Sequence, residues 1–526
     1  MSYVFEANVG KYRYVYEGSS YRDGDKKPRN TRKPIGKVDP KTGQRIYYDE
    51  YIERMEKSGT PVEIPESVKA FTIEDIKKSS LREFGLFYLL QALADRVGLA
   101  MVMQEAMGNV WGEIFTLACY LVSSGDPFQY CENWVSNTEC PPVGSLSSQR
   151  ISELLRCIDQ SDRDRFYQLW CACRCEREYL ALDITSTSSY SELIDDVVWG
   201  HNRDNENLPQ VNICMLVGEE TRLPVYQAVY DGSLNDVKTL ETTLASLRHI
   251  TRGRGILAVM DKGFYSGANI NEMLAAKSPI QFIISVPFKS ALADALIDKA
   301  RDNIDNVDNV IVVGSDSMRA ATSEIQWGSK ALYSHVYYSA KKAAGKREEL
   351  YVHAALLKES AIAEPGKYSS SPAYKKYLRF TRTKNGYNVK IRHDVIEKEL
   401  RHAGWLIVFS NKTSNAKKAI RIYRDKDVVE KGFLRFKNCL DMGRLRVHSE
   451  GRMQNKLFVG FIALIIMSEI NRVMLNEGLY RNMTMRQLFL NLAKLRVQYV
   501  NGTRILFPVT KTQREIYKAF DVELPK

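Results

Sequence analysis

Two short apolar runs each deliver an aspartate, and the pattern around them limits the folds open to this chain. Leu180-Ala-Leu leads into Asp183, and Leu257-Ala-Val-Met leads into Asp261. Runs of this length read as strands. Residues 179–184, 211–217 and 223–229 read as three strands, 237–250 as a helix, 256–260 as a strand, 268–276 as a helix and 280–286 as a further strand. Three strands followed by helix, strand, helix, strand is a mixed α/β layer. Asp261 falls at the C-terminal end of its strand, where open α/β sheets place their ligands, and Gly263 permits a tight turn beyond it.

The flanking segments differ in character. Residues 1–66 form a basic, β-rich N-terminal arm, a candidate DNA-binding element. Within it 12–16 is aromatic and β-branched, 22–37 is basic with Gly24, Pro28 and Pro34, and Asp39-Pro-Lys-Thr-Gly43 marks a turn. Residues 67–176 read as a helical domain for DNA binding or dimerisation. Leu81, Phe84, Leu86, Leu89, Leu90, Leu93 and Val97 recur at three- and four-residue steps. Helices fit 111–123, 145–157 and 161–173, with Asp159 and Ser161 as caps. No helix-turn-helix signature places a recognition helix. Residues 291–404 read as a β-rich insertion, with strands at 310–313, 331–338, 350–357 and 377–383 and basic connections (Lys341, Lys342, Lys346, Arg347). A strand at 405–410 returns to the sheet, and helices fit 416–438, 455–471 and 484–499. The mixed α/β layer is therefore 177–290 plus 405–475, followed by a helical 476–526 whose tail from 510 reads as peripheral.

Charge and composition narrow the partners. The 526 residues carry 75 Lys and Arg against 63 Asp and Glu, a net charge of +12, which favours nucleic acid first and an anionic membrane surface second. The most apolar stretch, 457–467, is about half of the ~20 residues a membrane span needs and reads as a buried helix. Residues 1–11 lack an apolar core of signal-peptide length. Nine cysteines include no C-x-x-C. Cys171, Cys173 and Cys175 alternate with no histidine nearby, so reduced thiols in a cytoplasmic protein are the reading. P-loop, H-E-x-x-H, G-x-S-x-G and dinucleotide motifs are absent.

Two acids on neighbouring strand ends suit a hard divalent cation, and a third acid on a facing helix would complete a two-metal site. Glu430 is the candidate. Tyr423, Lys426 and Glu430 fall at i, i+3 and i+7 on one helical face, and Lys437 returns to it seven residues on. His448, Arg452 and Lys456 precede or open the last apolar helix as possible DNA contacts, with a helix-start cap as the plainer reading. His201 reads as a loop histidine first and a metal or acid-base group second, Asp195 and Asp196 as a solvated face, and Arg252 and Arg254 either as phosphate contacts or as loop residues.

The set Asp183-Ile-Thr-Ser-Thr-Ser, Asp261-Lys-Gly-Phe-Tyr-Ser266 and Tyr423-x2-Lys-x3-Glu430-x6-Lys437 resembles the DDE transposases of the IS4-like superfamily, in particular its IS1634-like members. The family signature has arginine where this chain has Lys426. Gly232-Ser-Leu-Asn-Asp-Val-Lys-Thr-Leu240 also resembles the family's loop between third strand and first helix. The resemblance covers most of residues 80–475. It implies an α/β, ribonuclease-H-like mixed sheet interrupted by the insertion, and Mg2+ or Mn2+ dependence with two ions. It further implies cut-and-paste transposition by hydrolysis at transposon ends and 3′-OH strand transfer. Asp183, Asp261 and Glu430 would be the catalytic metal ligands, and Tyr423, Lys426, Lys437, Arg452 and Lys456 would contact DNA. The implied partners are double-stranded DNA (terminal inverted repeats and target) and a second copy in the DNA complex, in a bacterial cytoplasm at the nucleoid and with no membrane. Trp405 and Trp327 are conceivable base-holding aromatics of the insertion. A non-catalytic DNA-binding derivative and a metal nuclease of the same fold are the alternative readings.

Overall fold

The structure, a computed structural model, describes the chain except residues 1, 23, 25–27, 41–42, 60–61, 63–72, 142–143, 175–177, 235, 253–254, 276–279 and 385. Cys175, Arg254 and the expected boundary at 66/67 therefore lie outside the described residues. The chain divides into two compact units: residues 1–81 with 498–505, and residues 82–497 with 506–526.

In the first unit, Ser2–Val9, Tyr12–Arg22, Pro28–Val38 and Arg45–Tyr47 form a four-stranded antiparallel sheet in sequential order. The Asp49–Lys57 helix packs on one face, where Val15, Ile35 and Tyr51 are buried together. The aromatic, β-branched run 12–16 extends into the 11-residue strand Tyr12–Arg22, whose Val15 packs against this helix.

The second unit is built on a nine-stranded mixed sheet. Its order is Val310–Val313, Asp316–Trp327, Lys330–Tyr338, Trp405–Ser410, Ile280–Ser285, Ile256–Met260, Leu180–Ser188, Gln210–Gly218, Pro224–Asp231. The 256–260 strand runs parallel to both 180–188 and 280–285, and every other pair is antiparallel. The central strands are apolar throughout because both faces are covered. Val259, Ile283 and Val408 meet Ala419, Ile420 and Ile422 of the Ala416–Asp425 helix. Their neighbours Ala258, Met260, Phe282, Ile284 and Phe409 belong to the core on the opposite face, shared with Leu240, Leu244, Ile270 and Met273 of the Asp236–Thr251 and Gly267–Leu274 helices.

Helices Gly85–Arg96, Leu99–Met107, Trp111–Ser124, Ser148–Cys157 and Gln160–Ala172 share that larger core with Glu450–Asn476. This 27-residue helix extends the apolar 457–467 run. It is long and apolar enough to cross a bilayer, yet 94% of its apolar window is buried inside the protein. Asn455 on it, 1% exposed, donates to the carbonyls of Leu155 and Ile158 and so closes the end of the 148–157 helix. Asp159 caps the 160–172 helix in a capping box with Asp162. Ser161 sits inside that helix and bonds the Asp159 carboxylate instead of capping.

Several expectations need correction. The insertion is not a separate β-rich body: strands 310–313, 316–327 and 330–338 extend the main sheet. The expected strand at 350–357 lies inside the 24-residue helix Ala340–Ala363. Its aromatic and β-branched centre suggests a strand, but the Ala, Lys and Glu around it are strong helix formers. Beyond that helix, Leu378–Thr383 and Gly386–Ile391 pair as a hairpin over small cores of their own. The expected 484–499 helix is Met485–Ala493 followed by the strand Arg496–Val500. The tail is not peripheral: Ile516, Tyr517 and Phe520 are fully buried, and the Tyr517 hydroxyl donates to the Gly85 carbonyl at 2.9 Å.

Candidate functional site

The sheet register brings the two aspartates together. Ala181 pairs with Val259 and Leu182 with Met260 across the parallel strands. Asp183 and Asp261 are the next residues along, side by side and, by the alternation of strand side chains, on one face. On the far side of Asp261, Met260 pairs with Ile284, which sets Ser285 beside it. That face carries the helical segment 416–439. Asp183 and Asp261 line one cleft of about 910 Å3 together with Arg203, Asp236, Lys262, Ser285, Lys289 and Tyr423.

Their surroundings push the acidities of the two carboxyls in opposite directions. Asp183 sits deep in the cleft, and burial pushes its carboxyl up to about 6, against a bond from the Ile184 N–H and the charges of Lys426 and Arg203. Burial acts on Asp261 in the same sense but is overcome by the Lys426 ammonium, the Lys262 backbone N–H and the Tyr423 and Ser285 hydroxyls, so its carboxyl lies below the usual range. Tyr423 donates to Asp261 Oδ1 at 2.8 Å, and Ser285 donates to the same oxygen at 3.1 Å. Two neighbouring carboxyls pushed apart in acidity are a recurrent mark of functional sites.

The predicted face of Tyr423, Lys426 and Glu430 is broken. The helix ends at Asp425 and a second one, Asp427–Cys439, begins after Lys426. Lys426 Nζ lies 3.3 Å from Glu430 Oε1 and 4.0 Å from Asp261 Oδ2, so it bridges the two acids. Its side chain is 15% exposed, whereas that of Glu430 is 57% exposed in the first turn of its helix. Glu430 does not line the cleft. Among the described residues no three His, Cys, Asp or Glu side chains are gathered closely enough to hold one ion.

The remaining predicted DNA contacts lie elsewhere. Lys437 is 10% exposed and pairs with Asp204 at 2.5 Å. Lys456 is buried, and its ammonium donates to the Leu445 carbonyl at 2.8 Å, with Arg444 O at 3.4 Å. Burial brings it down to about 8. Its place at a DNA surface is thus corrected: a lysine in an apolar helix is used to hold the 444–446 loop. Arg452 is half-buried, its Nε enclosed without a partner.

A second layer of the cleft carries little signal in the sequence. Arg203 pairs with Asp236 and reaches Asn212 Oδ1 at 3.4 Å. A Cβ on Gly263 would stand 2.6 Å from Asp236 Oδ2, so a side chain there would have to displace the Asp236 carboxylate from this pair. Asp236 falls within the 232–240 loop motif, which was the available signal; Arg203 carried none.

A family profile described as "Transposase DDE domain" matches residues 174–466, more than half of the chain. No curated protein matches. Among solved structures, the cryo-EM structure of a piggyBac transposase synaptic complex with hairpin DNA is similar at 12% identity and a TM-score of 0.34, over 80% of this chain and 77% of that one, a loose likeness. The matched span runs through both aspartates of the cleft, both halves of the broken helix and most of the buried 450–476 helix, and on that match the chain belongs to the DDE transposases, DNA-binding enzymes of DNA transposition that generally depend on divalent metal.

Proposed function

We propose that Asp183, Asp261 and Glu430 are the catalytic metal ligands of a cut-and-paste transposase of the IS1634-like kind. The observation that carries this is the placement of Asp183, within its strand, beside Asp261, just past the end of the neighbouring parallel strand, in one cleft. A ribonuclease-H-like fold is supported by the order of the five strands from the sheet edge at Pro224–Asp231 to Ile280–Ser285. Taken by their place in the chain they run third, second, first, fourth, fifth, with the first three antiparallel and the last two parallel to the first.

The donor set suits a hard cation: every candidate ligand is a carboxylate oxygen, and a cation, Lys426, already lies between two of them. Two Mg2+ or Mn2+ ions held there would supply Lewis acidity at the attacking and leaving oxygens of phosphodiester hydrolysis and 3′-OH strand transfer. The protein groups do the rest. Tyr423 and Ser285 hold Asp261 by Oδ1 and leave Oδ2 for the cleft. Asp183, its carboxyl at about 6, is mostly ionised above pH 7 and would be the second carboxylate ligand. Lys262, Lys289 and Arg203 line the same cleft and present positive charge to a phosphate backbone. Glu430, paired with Lys426 at 3.3 Å, would serve as the third carboxylate ligand once Lys426 is drawn to a phosphate. The working form is a homodimer on the element's terminal inverted repeats and target DNA, in a bacterial cytoplasm.

Iron-directed backbone cleavage tests the site without DNA. Fe2+ substituted for Mg2+, with ascorbate and peroxide, is expected to cut the chain near residues 183, 261 and 430, and Asp261→Asn is expected to abolish the cuts. Cutting elsewhere, or cutting unchanged in Asp261→Asn, overturns the assignment.

A further inference from the structure

The N-terminal sheet has two unlike faces. On the face under the 49–57 helix, acids are present and paired: Glu6 with Arg13 and Arg45, and Glu17 with Arg54. Cross-strand partners share a face, so the register defines the other face. Tyr3 lies opposite Gly18, Phe5 opposite Tyr16, and Val9 opposite Tyr12. Gly18 lies opposite Arg32, and Tyr14 opposite Lys37. The bulge between Val15 and Tyr16 turns Ile35 inward while Lys37 stays on the open side.

Read along the described residues of its strands, this open face holds tyrosines, Phe5, apolar, small and amide residues and the cations Arg22, Arg32 and Lys37, with no acid among them. Its rings form a continuous patch. Phe5 stacks on Tyr16 at 5.8 Å, Tyr3 and Tyr14 flank that pair, and the Arg32 guanidinium lies 5.5 Å over Tyr16. Gly18 leaves room for the Tyr3 ring, which would stand 2.9 Å from a Cβ there. Tyr12 is 68% exposed and Tyr3 48% exposed, an unusual outlay of exposed aromatic surface on one face.

We propose that this open face binds single-stranded DNA, with bases stacked on Tyr3, Tyr12 and the adjoining rings and phosphates against Arg22, Arg32 and Lys37. The charge fits a polyanion, and the segregation of Glu6 and Glu17 to the opposite face removes the repulsion a polyanion would meet. Flat exposed rings reward unpaired bases, whose faces are free, whereas a duplex hides its bases in the stack. Stacking of this kind is tolerant of sequence, so the surface holds unpaired strands without reading them.

Full-length protein in EDTA, titrated against a labelled oligothymidine of about 12 nucleotides, a length within the usual module footprint, tests the proposal. The same measurement on a duplex of equal length separates the two DNA forms. The single strand is expected to bind more tightly than the duplex. Tyr12→Ser is expected to weaken single-strand binding about five- to tenfold while Tyr12→Phe, which keeps the ring, does not. Arg32→Gln is expected to weaken it and flatten its salt dependence. Single-strand binding unchanged in the Tyr3→Ser/Tyr12→Ser double variant overturns the proposal, and so does an equal loss on single strand and duplex. Because no metal is present, failure here leaves the Asp183–Asp261 reading untouched, and failure of that reading leaves this one standing.

Discussion

Removing the ammonium of Lys426 is expected to tighten cation binding in the DNA-free protein. Nζ sits 4.0 Å from Asp261 Oδ2 and 3.3 Å from Glu430 Oε1, so a divalent ion entering this site must displace or oppose it. At an effective dielectric of about 20, a unit pair 4 Å apart interacts by about 4 kcal/mol. The carboxylates are 41% and 57% exposed, and solvent screening brings each contribution down to about 1 kcal/mol. Together they set the gain on removal near 1–2 kcal/mol, roughly a tenfold fall in Kd. Calorimetric titration of Mn2+ into Lys426→Met and the parent protein at pH 8 without DNA reads this directly. Lys426→Arg, which keeps the charge, is expected to behave as the parent. Equal or weaker Mn2+ binding in Lys426→Met would refute the view that the ammonium competes with the cation.

Three further outcomes follow from named groups. Asp183 must be ionised to hold a cation and its carboxyl stands at about 6, so Mn2+ affinity is expected to fall about tenfold between pH 8 and pH 5 from this group alone; a flat profile would contradict it. Glu219 is raised to about 9 by burial and then by Asp425, Glu178 and Glu220; the stability its neutral form supports is present below about pH 4.5 and lost as pH rises through 9. Glu219→Gln is therefore expected to stabilise the fold by about 1–3 kcal/mol at pH 9 and little at pH 5, as read by thermal melts. Glu469, 1% exposed, takes both Arg96 at 2.8 Å and Arg472 at 2.7 Å, and burial's effect on it is outweighed by these arginines. Glu469→Ala is expected to cost about 2–3 kcal/mol in urea denaturation, less than a fully buried pair because both arginines are a third exposed.

The elements that set Asp183 and Asp261 side by side were legible from local pattern, because strands buried on both faces write uninterrupted apolar runs and an acid at the end of one stands out. Residues 316–327 were missed because that strand lies toward the sheet edge, and its polar alternation, Asp-Ser-Met-Arg-Ala-Ala-Thr-Ser-Glu, carries no such run. The break at Lys426 left no trace either: helical spacing continues through it, and only the reach of Tyr423 and Lys426 to Asp261 shows why the chain turns there. Lys456 and Lys437 mislead for a common reason. Sequence gives a lysine its charge but not its partner, and carbonyls of residues 444 and 445 in one case, Asp204 in the other, come from loops that spacing does not bring near. Arg203 shows the converse, a cation that matters because the fold carries a long loop back over the strand ends.

Strand cleavage by acid variants tests the central claim most directly. DNA carrying the ends of the element that encodes this chain, incubated with protein and Mg2+, is expected to be nicked and joined by the parent. It is expected to be left intact, at least 10^3-fold slower, by Asp183→Asn, Asp261→Asn and Glu430→Gln, while each variant still binds the DNA. Cleavage at the parent rate by any of the three would contradict the account.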